Sequence, residues 1–273
     1  MKSLSLVVAL TLKAYSAYAT PVATEAVVVK PISSECINIR FQLNWLVAEC
    51  LTGKDNMTRQ KTAIWLHSYV ENDHGTMKWK PQGYFDYSCR DCQLGGTTLT
   101  CTCDWFNPVK SSLDLSERIA VYNGYLMSDV GGTPTPPKVP SKYPVPDDFR
   151  YVYGGENYCV YDGKEDQCQA YAQFRSCFPT FDSYEGQWSN EPRNCHVPTV
   201  WSQQEARFVD FKFLAGGDWV VEGFDDYDCK GNVTVRHGVG SGRENGECVA
   251  LGKEKAPTAF RILPAFDAAY IPN

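Results

Sequence analysis

Little in this sequence points to catalysis, nucleic acid or a membrane. There are only 4 histidines, His67, His74, His196 and His237, and no HExxH pair among them. Ser241, in Val239-Gly240-Ser241-Gly242, lacks the spacing of a nucleophile elbow. A carboxylate pair for glycoside hydrolysis has no spacing rule, so the many acids select none. We read the chain as no enzyme, with no metal and no cofactor. Lys and Arg number 26 against 32 Asp and Glu, a formal charge of −6, and no basic stripe is present. That excludes nucleic acid and membrane insertion as modes of binding. The one long apolar run is Leu4 to Leu12, after Lys2 and ending at Lys13, with Ala17-Tyr18-Ala19 behind it. It is too short for a membrane span and reads as a cleavable signal peptide over 1–19. Its removal takes away Lys2 and Lys13 and leaves 24 basic against 32 acidic residues. The expected product is secreted and acidic.

What the chain does have is cysteine: 12 of them, an even number, none in the leader. In a secreted chain that reads as a disulfide framework. The sequons Asn56-Met57-Thr58 and Asn232-Val233-Thr234 make Asn56 and Asn232 glycosylation candidates.

The cysteines open a repeat. Cys36 and Cys50 are fourteen residues apart, as are Cys89 and Cys103, fifty-three positions on. Each pair is followed by one apolar frame: Ile64, Leu66, Val70, Gly75, Met77, then Leu113, Leu115, Ile119, Gly124, Leu126, offset by forty-nine. One supersecondary unit is used twice and two copies share a core. Ile37, Ile39, Phe41 and Leu43 alternate with Asn38, Arg40, Gln42 and Asn44, which predicts a half-buried strand. Asn44-Trp45 is the expected turn, Leu46 to Cys50 the returning strand, and Cys36–Cys50 the tie. In the second copy Gly95-Gly96 is the turn. Cys89–Cys103 and Cys92–Cys101 nest, with a bulge between Cys89 and Cys92. Each bond closes a short loop worth roughly 3 kcal/mol. Gly75 and Gly124 are placed at left-handed turn positions. Trp79 reads as core.

The block from Cys36 to Met127 resembles a cyanovirin-N homology (CVNH) domain. The likeness lies in the cysteine spacing, Glu71-Asn72 with Gly75, Met77-Lys78-Trp79-Lys80-Pro81, Ser88-Cys89-Arg90, Gln93-Leu94, Leu113-Asp114-Leu115 and Asn123-Gly124. It implies a pseudo-symmetric β fold in which each half borrows a hairpin from the other repeat. It implies a lectin for mannose-rich oligosaccharides, without metal, as a monomer or domain-swapped dimer. One family site then falls on Glu71, Asn72, His74, Tyr87, Ser88, Asp104, Trp105 and Phe106. His74 and Asp104-Trp105-Phe106 depart from the founding member, and an insertion near Gly83 blurs the alignment. Glu71 is the expected hydroxyl acceptor and Trp105 or Phe106 the apolar face. A second site would use Ser34, Glu35, Leu51, Thr52, Gly53, Tyr122 and Asn123, with Leu51 where an acid is expected.

The expected organisation is all-β. Residues 20–35 form a weakly structured leader and 36–128 the repeat domain. Residues 129–149 form a Pro-rich, semi-rigid spacer, and 150–268 a second disulfide-rich β domain, sandwich or barrel. This last part has the texture of small secreted fungal β proteins. There Val209, Phe211 and Phe213 alternate, Gly216-Gly217 turns the chain, and Trp219-Val220-Val221 returns. Asn232–His237 and Phe260–Leu263 are further strands. Cys159, Cys168, Cys177, Cys195, Cys229 and Cys248 allow fifteen pairings, of which Cys229–Cys248 is favoured. Asp225, Asp226, Asp228 and Glu244 read as solvated loop acids, without EF-hand spacing. Asp147-Asp148 reads as the linker end. The rival readings are a secreted effector that keeps the lectin fold without sugar binding, and a carbohydrate-active enzyme targeted by its first domain.

Overall fold

A computed structural model describes residues 29–104, 106–149, 151–156, 191–196, 208–213, 219–238, 248–250 and 258–270. The leader 1–19, Trp105, Gly216-Gly217, Glu244, Cys159, Cys168 and Cys177 lie outside them.

The chain enters as strand β1 (Val29–Pro31) and one short helical turn, α1 (Ile32–Glu35). The expected loose leader is thus ordered from Val29, because β1 pairs with a strand of the second repeat and Ile32 is fully buried. Strands β2 (Cys36–Gln42), β3 (Trp45–Leu51) and β4 (Arg59–Trp65) form a three-stranded antiparallel sheet. The β2–β3 turn is Leu43-Asn44, one residue earlier than expected, with both residues at positive φ. That frees Trp45 to start β3 and to be buried. A hairpin of β5 (Val70–Asp73) and β6 (Thr76–Trp79) follows.

The second repeat copies this plan. Strands β7 (Cys89–Gly95), β8 (Thr98–Cys103) and β9 (Val109–Asp114) form its sheet, and β10 (Ile119–Tyr122) and β11 (Tyr125–Ser128) its hairpin. The β7–β8 turn is Gly96-Thr97, since Gly95 already pairs with Thr98. Disulfides join Cys36 to Cys50, Cys89 to Cys103 and Cys92 to Cys101, as expected. The expected bulge lies between Arg90 and Gln93, with Asp91 at φ 53°. Its twin, between Ile37 and Arg40 with Asn38 at φ 54°, was not foreseen.

The hairpins are exchanged between repeats. The Met77 amide donates to Ser111 Oγ at 2.8 Å, joining the first hairpin to β9. The Leu126 amide donates to Thr62 Oγ1 at 3.1 Å, joining the second hairpin to β4. The two bonds are related by the repeat offset of forty-nine. Both are buried, so each amide needs its hydroxyl. Leu46, Ile64, Leu66, Val70 and Met77 meet Leu99, Leu113, Leu115, Ile119 and Leu126 in one core.

The remaining strands are β12 (Tyr151–Glu156), β13 (Arg193–His196), β14 (Phe208–Phe213), β15 (Trp219–Phe224), β16 (Val233–Gly238), β17 (Cys248–Ala250) and β18 (Ala259–Pro264). They form two sheets, β12-β14-β17 and β13-β18-β15-β16. The expected β14–β15 hairpin is therefore absent: consecutive strands belong to different sheets. β15 is buried along its whole length, which suits a central strand between β18 and β16. Cys229 bonds to Cys195, not to Cys248. The bond ties the loop after β15 to β13, while Cys248 stands in the other sheet.

The Pro-rich stretch is packed rather than free. Val145 and Phe149 are buried. Gln42 Nε2 donates to the Asp147 carbonyl at 2.8 Å, and Lys61 pairs with the Asp147 carboxylate at 2.7 Å. Trp219 Nε1 donates to the Phe149 carbonyl at 3.1 Å. Trp45, Val47, Ala63 and Trp65 on the outer face of the first sheet share an apolar cluster with Phe149, Trp219, Val221, Phe260 and Phe266. Trp45 stacks on Phe149 at 5.1 Å and meets Trp219 edge-on at 6.2 Å. Aromatic contacts of this kind hold the two regions together.

Candidate functional site

The first hairpin ends in His74-Gly75, with φ 52° and 87°. Two positive φ values make this a twist-matched two-residue turn. Asn72 fixes it from inside: its Oδ1 accepts the Gly75 amide at 2.8 Å. Its Nδ2 donates to Ser88 Oγ at 2.8 Å and to Asp104 Oδ1 at 3.2 Å. Asp104 reaches this point because the chain leaves β8 there at φ 69°, with its amide on the Ser88 carbonyl at 2.9 Å. A β-carbon on Gly75 would lie 3.3 Å from Asp104 Oδ2. The glycine lets the turn backbone approach that carboxylate. Three expected residues, Asn72, Ser88 and Asp104, thus form one polar node beside the turn, of which His74 is exposed and Gly75 buried.

The other expected residues lie around it, not in it. Glu71 is on the opposite face of β5, as strand alternation requires. Its carboxylate is held by Lys80 at 2.6 Å, and that contact raises the Lys80 ammonium. His74 is at the exposed tip, with Nδ1 2.7 Å from Asp73 Oδ1. Asp73 also takes Lys78 at 2.5 Å. These bonds hold the Asp73 carboxyl down at about 2, Lys78 first and His74 next. The His74 imidazole is raised by its bond to Asp73. Tyr87 stacks with Tyr84 at 5.8 Å and meets His67 edge-on at 5.2 Å. It stands on a short turn, Phe85–Tyr87, anchored by Asp86, which accepts from Asn44 at 2.7 Å and pairs with buried His67 at 2.5 Å. Phe106 is 97% exposed. Trp105, the other expected apolar face, lies outside the described residues.

Sequence reasoning missed the Asp73–Lys78 clamp and Tyr84. Asp73 and Lys78 are diagonal neighbours on one face of the hairpin, since Asp73 pairs with Thr76 and Lys78 with Glu71. Two opposite charges flanking a predicted turn glycine were a usable signal. Tyr84 was hidden by the insertion. Gly83 passes so close to β5 that a β-carbon would lie 2.2 Å from the Val70 carbonyl, and Tyr84 bridges Glu71.

The second expected site is differently built. Its turn, Asn123-Gly124, has φ 52° and 91°, and a β-carbon on Gly124 would meet Gln60 Nε2 at 2.9 Å and Thr52 Cα at 3.0 Å. Thr52 is bound through its amide to the Thr58 carbonyl at 2.9 Å. Ser34 donates to the Pro31 carbonyl at 3.2 Å, Glu35 pairs with Lys30 at 3.1 Å, and Arg59 donates to the Glu35 carbonyl. Gly53 has open space around it at φ 79°. By the repeat offsets, Val121, Glu35 and Leu51 stand where the first tip has Asn72, Ser88 and Asp104. Val121 is buried in the core, so the side chain at the place of Asn72 is apolar and makes no counterpart of the Asn72 hydrogen bonds.

Among the described residues no cluster of His, Cys, Asp or Glu is arranged to hold a metal ion, and no helix is long and apolar enough to cross a membrane. Asn56 sits in an exposed loop whose Asp55 accepts from Thr58 Oγ1 at 2.6 Å. Asn232 is exposed next to Asp225, its amide 2.8 Å from Asp225 Oδ1.

Residues 33–127 match the family model of the CVNH domain. Among solved structures, a MoCVNH3 variant in complex with (N-GlcNAc)4 is 21% identical, covers 35% of this chain and 95% of that one, with a TM-score of 0.33. The CVNH protein of T. borchii is 26% identical over 36% of this chain and 98% of its own, with a TM-score of 0.32. Microvirin, in complex with mannobiose, is 19% identical over 36% and 98%, with a TM-score of 0.31. Residues 33–127 are a CVNH domain, and the region beyond the Pro-rich stretch is a second β unit joined to it.

Proposed function

We propose that this chain is a secreted carbohydrate-binding protein that takes mannose-type oligosaccharides at the tip of the first hairpin. The observation that carries this reading is the Asn72–Ser88–Asp104 node beside Gly75. Asp104 Oδ2 offers an acceptor to ring hydroxyls beside the exposed His74, in a pattern already ordered before a ligand arrives. Preorganised polar groups cost less to bind with. Asp73, His74 and Lys78 add a charged rim, and Phe106 an apolar surface at the loop after β8. Asp104, held by Asn72, takes the acceptor role that Glu71 was expected to play, since Glu71 faces Lys80 instead. Disulfides in both regions fit an oxidising compartment. The second tip contributes packing rather than binding, so one CVNH domain offers one site, whether the protein is a monomer or a domain-swapped dimer.

The test is a glycan array with the oxidised full chain, followed by calorimetry on the best hit, with mannobiose and (N-GlcNAc)4 among the probes. A mannose-type hit that Asp104→Ala weakens by about tenfold or more supports the reading. A blank array from folded protein would move it to a secreted effector that binds protein instead.

A further inference from the structure

A cavity lies where three parts of the chain meet, and none of the turn residues His74, Gly75, Asn123 and Gly124 lines it. It has a volume of about 360 Å3, within the roughly 300–1,000 Å3 of small-molecule sites. One wall is the CVNH domain, with Trp65, Tyr69 and Gln82. A second is the start of the Pro-rich stretch, Gly131 to Thr135. The third is the C-terminal segment, with Asp267 and Tyr270. The site exists only because the two regions are packed together.

Its lining is chemically selective. Three aromatic side chains line it with amide, hydroxyl and backbone groups, and no Lys, Arg or His is among them. Among the described residues the one charged lining group is Asp267, whose Oδ1 accepts the Ala269 amide at 3.0 Å and which has no ion pair there. Burial lifts the Asp267 carboxyl to about 7 and the Tyr69 phenol to about 12. Tyr270 is fixed through its hydroxyl, which donates to Asn194 Oδ1 at 2.5 Å. The Trp65 ring is held by stacking on His67 at 4.2 Å, and its indole N–H is buried without an acceptor among the described residues. A described lining that carries a carboxylate and no cation disfavours phosphates and carboxylates. Aromatic walls beside a carboxylate and an amide suit a molecule with apolar C–H faces and hydroxyl edges.

We propose that this cavity is a second binding site, for one neutral saccharide unit, with Tyr69, Tyr270 and Trp65 as its apolar walls and Asp267 and Gln82 as its hydrogen-bonding partners. It is distinct from the hairpin-tip site and does not rest on it. A single sugar held by a few contacts binds with a dissociation constant on the order of 1 mM.

The experiment follows the Trp65 indole N–H and the Gly131 and Gly132 amides by NMR in the full oxidised chain. The probes are methyl glycosides of mannose, glucose, galactose and N-acetylglucosamine, to tens of millimolar. The Trp65 signal is assigned by its loss in Trp65→Phe or, if that variant misfolds, by through-space contacts. The expected result is a saturable shift with at least one glycoside, weakened about tenfold or more in Asp267→Asn and in Gln82→Ala. It should be unchanged in Asp104→Ala, which disables only the tip. No saturable shift with any glycoside, or a shift that Asp267→Asn and Gln82→Ala leave intact, would overturn the proposal. So would a shift produced only by tetramethylammonium, which would make the cavity a cation site.

Discussion

The two hairpin tips of the CVNH domain share a backbone and differ in chemistry. Both are two-residue turns at positive φ, ending in glycine. Both hairpins are docked by one buried amide on a hydroxyl of the other repeat. Yet the first has Asn72, Ser88 and Asp104 in contact, while the second has Val121, Glu35 and Leu51 at the matching places. The apolar frame is needed twice because both copies build one core. On the proposed function, the polar node is needed only at the tip that takes the glycan. Pseudo-symmetry therefore offers a test of the proposed function from within one molecule: what the copies share is structural, and where they diverge is where the proposed site lies.

The strongest way to break the comparison is to remove the node. Asp104→Ala should weaken glycan binding by about 10- to 100-fold, the size of a hydrogen bond to a charged group. Leu51→Ala, at the equivalent place, should change it less than about twofold, within the scatter of surface substitutions. Calorimetry on the two variants decides. Next come the docking bonds. Ser111→Ala and Thr62→Val should each destabilise the fold by about 1–3 kcal/mol, because each leaves a buried amide unpaired. Similar losses in chemical denaturation would confirm structural equivalence, and a large gap would deny it. The turn glycines give a smaller effect. Gly75→Ala should cost about 1–2 kcal/mol from its left-handed backbone. Gly124→Ala should cost more, since its β-carbon also crowds Thr52 backbone and Gln60.

The smallest effect is in pH. His74 is raised by Asp73, so its contribution is complete below its unfolded pKa and is lost as pH rises through the raised value. Asp73 is lowered, so its contribution is present above the usual carboxylate value and is lost as pH falls through about 2. The Asp73–His74–Lys78 clamp is tightest between those limits. An NMR titration of the His74 ring should show the upward shift, reduced in Asp73→Asn. A shift that Asp73→Asn leaves unchanged would remove the clamp. All three groups are exposed, so the effect on stability is small.

Much of the first region was legible because its signals are local. Cysteine spacing with one bulge gave three disulfides, and the repeated apolar frame and glycines gave both hairpins. The turn at Leu43-Asn44 was misplaced by one residue, since positive φ at leucine leaves no compositional mark. The second region was less readable because its pairings are long-range. β15 looked like the partner of β14 but pairs with β18, some forty residues later, and Cys229 reaches back to Cys195 rather than forward to Cys248. At the site, Asn72, Ser88 and Asp104 came from the family resemblance. That Glu71 faces Lys80 follows from strand alternation once the β5 register is known. Proline content marked 129–149 as extended, but not that Val145 and Phe149 would be buried between the two regions.

The most direct test is an NMR titration of the full oxidised chain with the best array glycan, read at the Gly75 and Gly124 amides. Saturable shifts at Gly75 and Asp104, with Gly124 still, are the predicted result. Shifts at Gly124 equal to or larger than those at Gly75 would contradict the account.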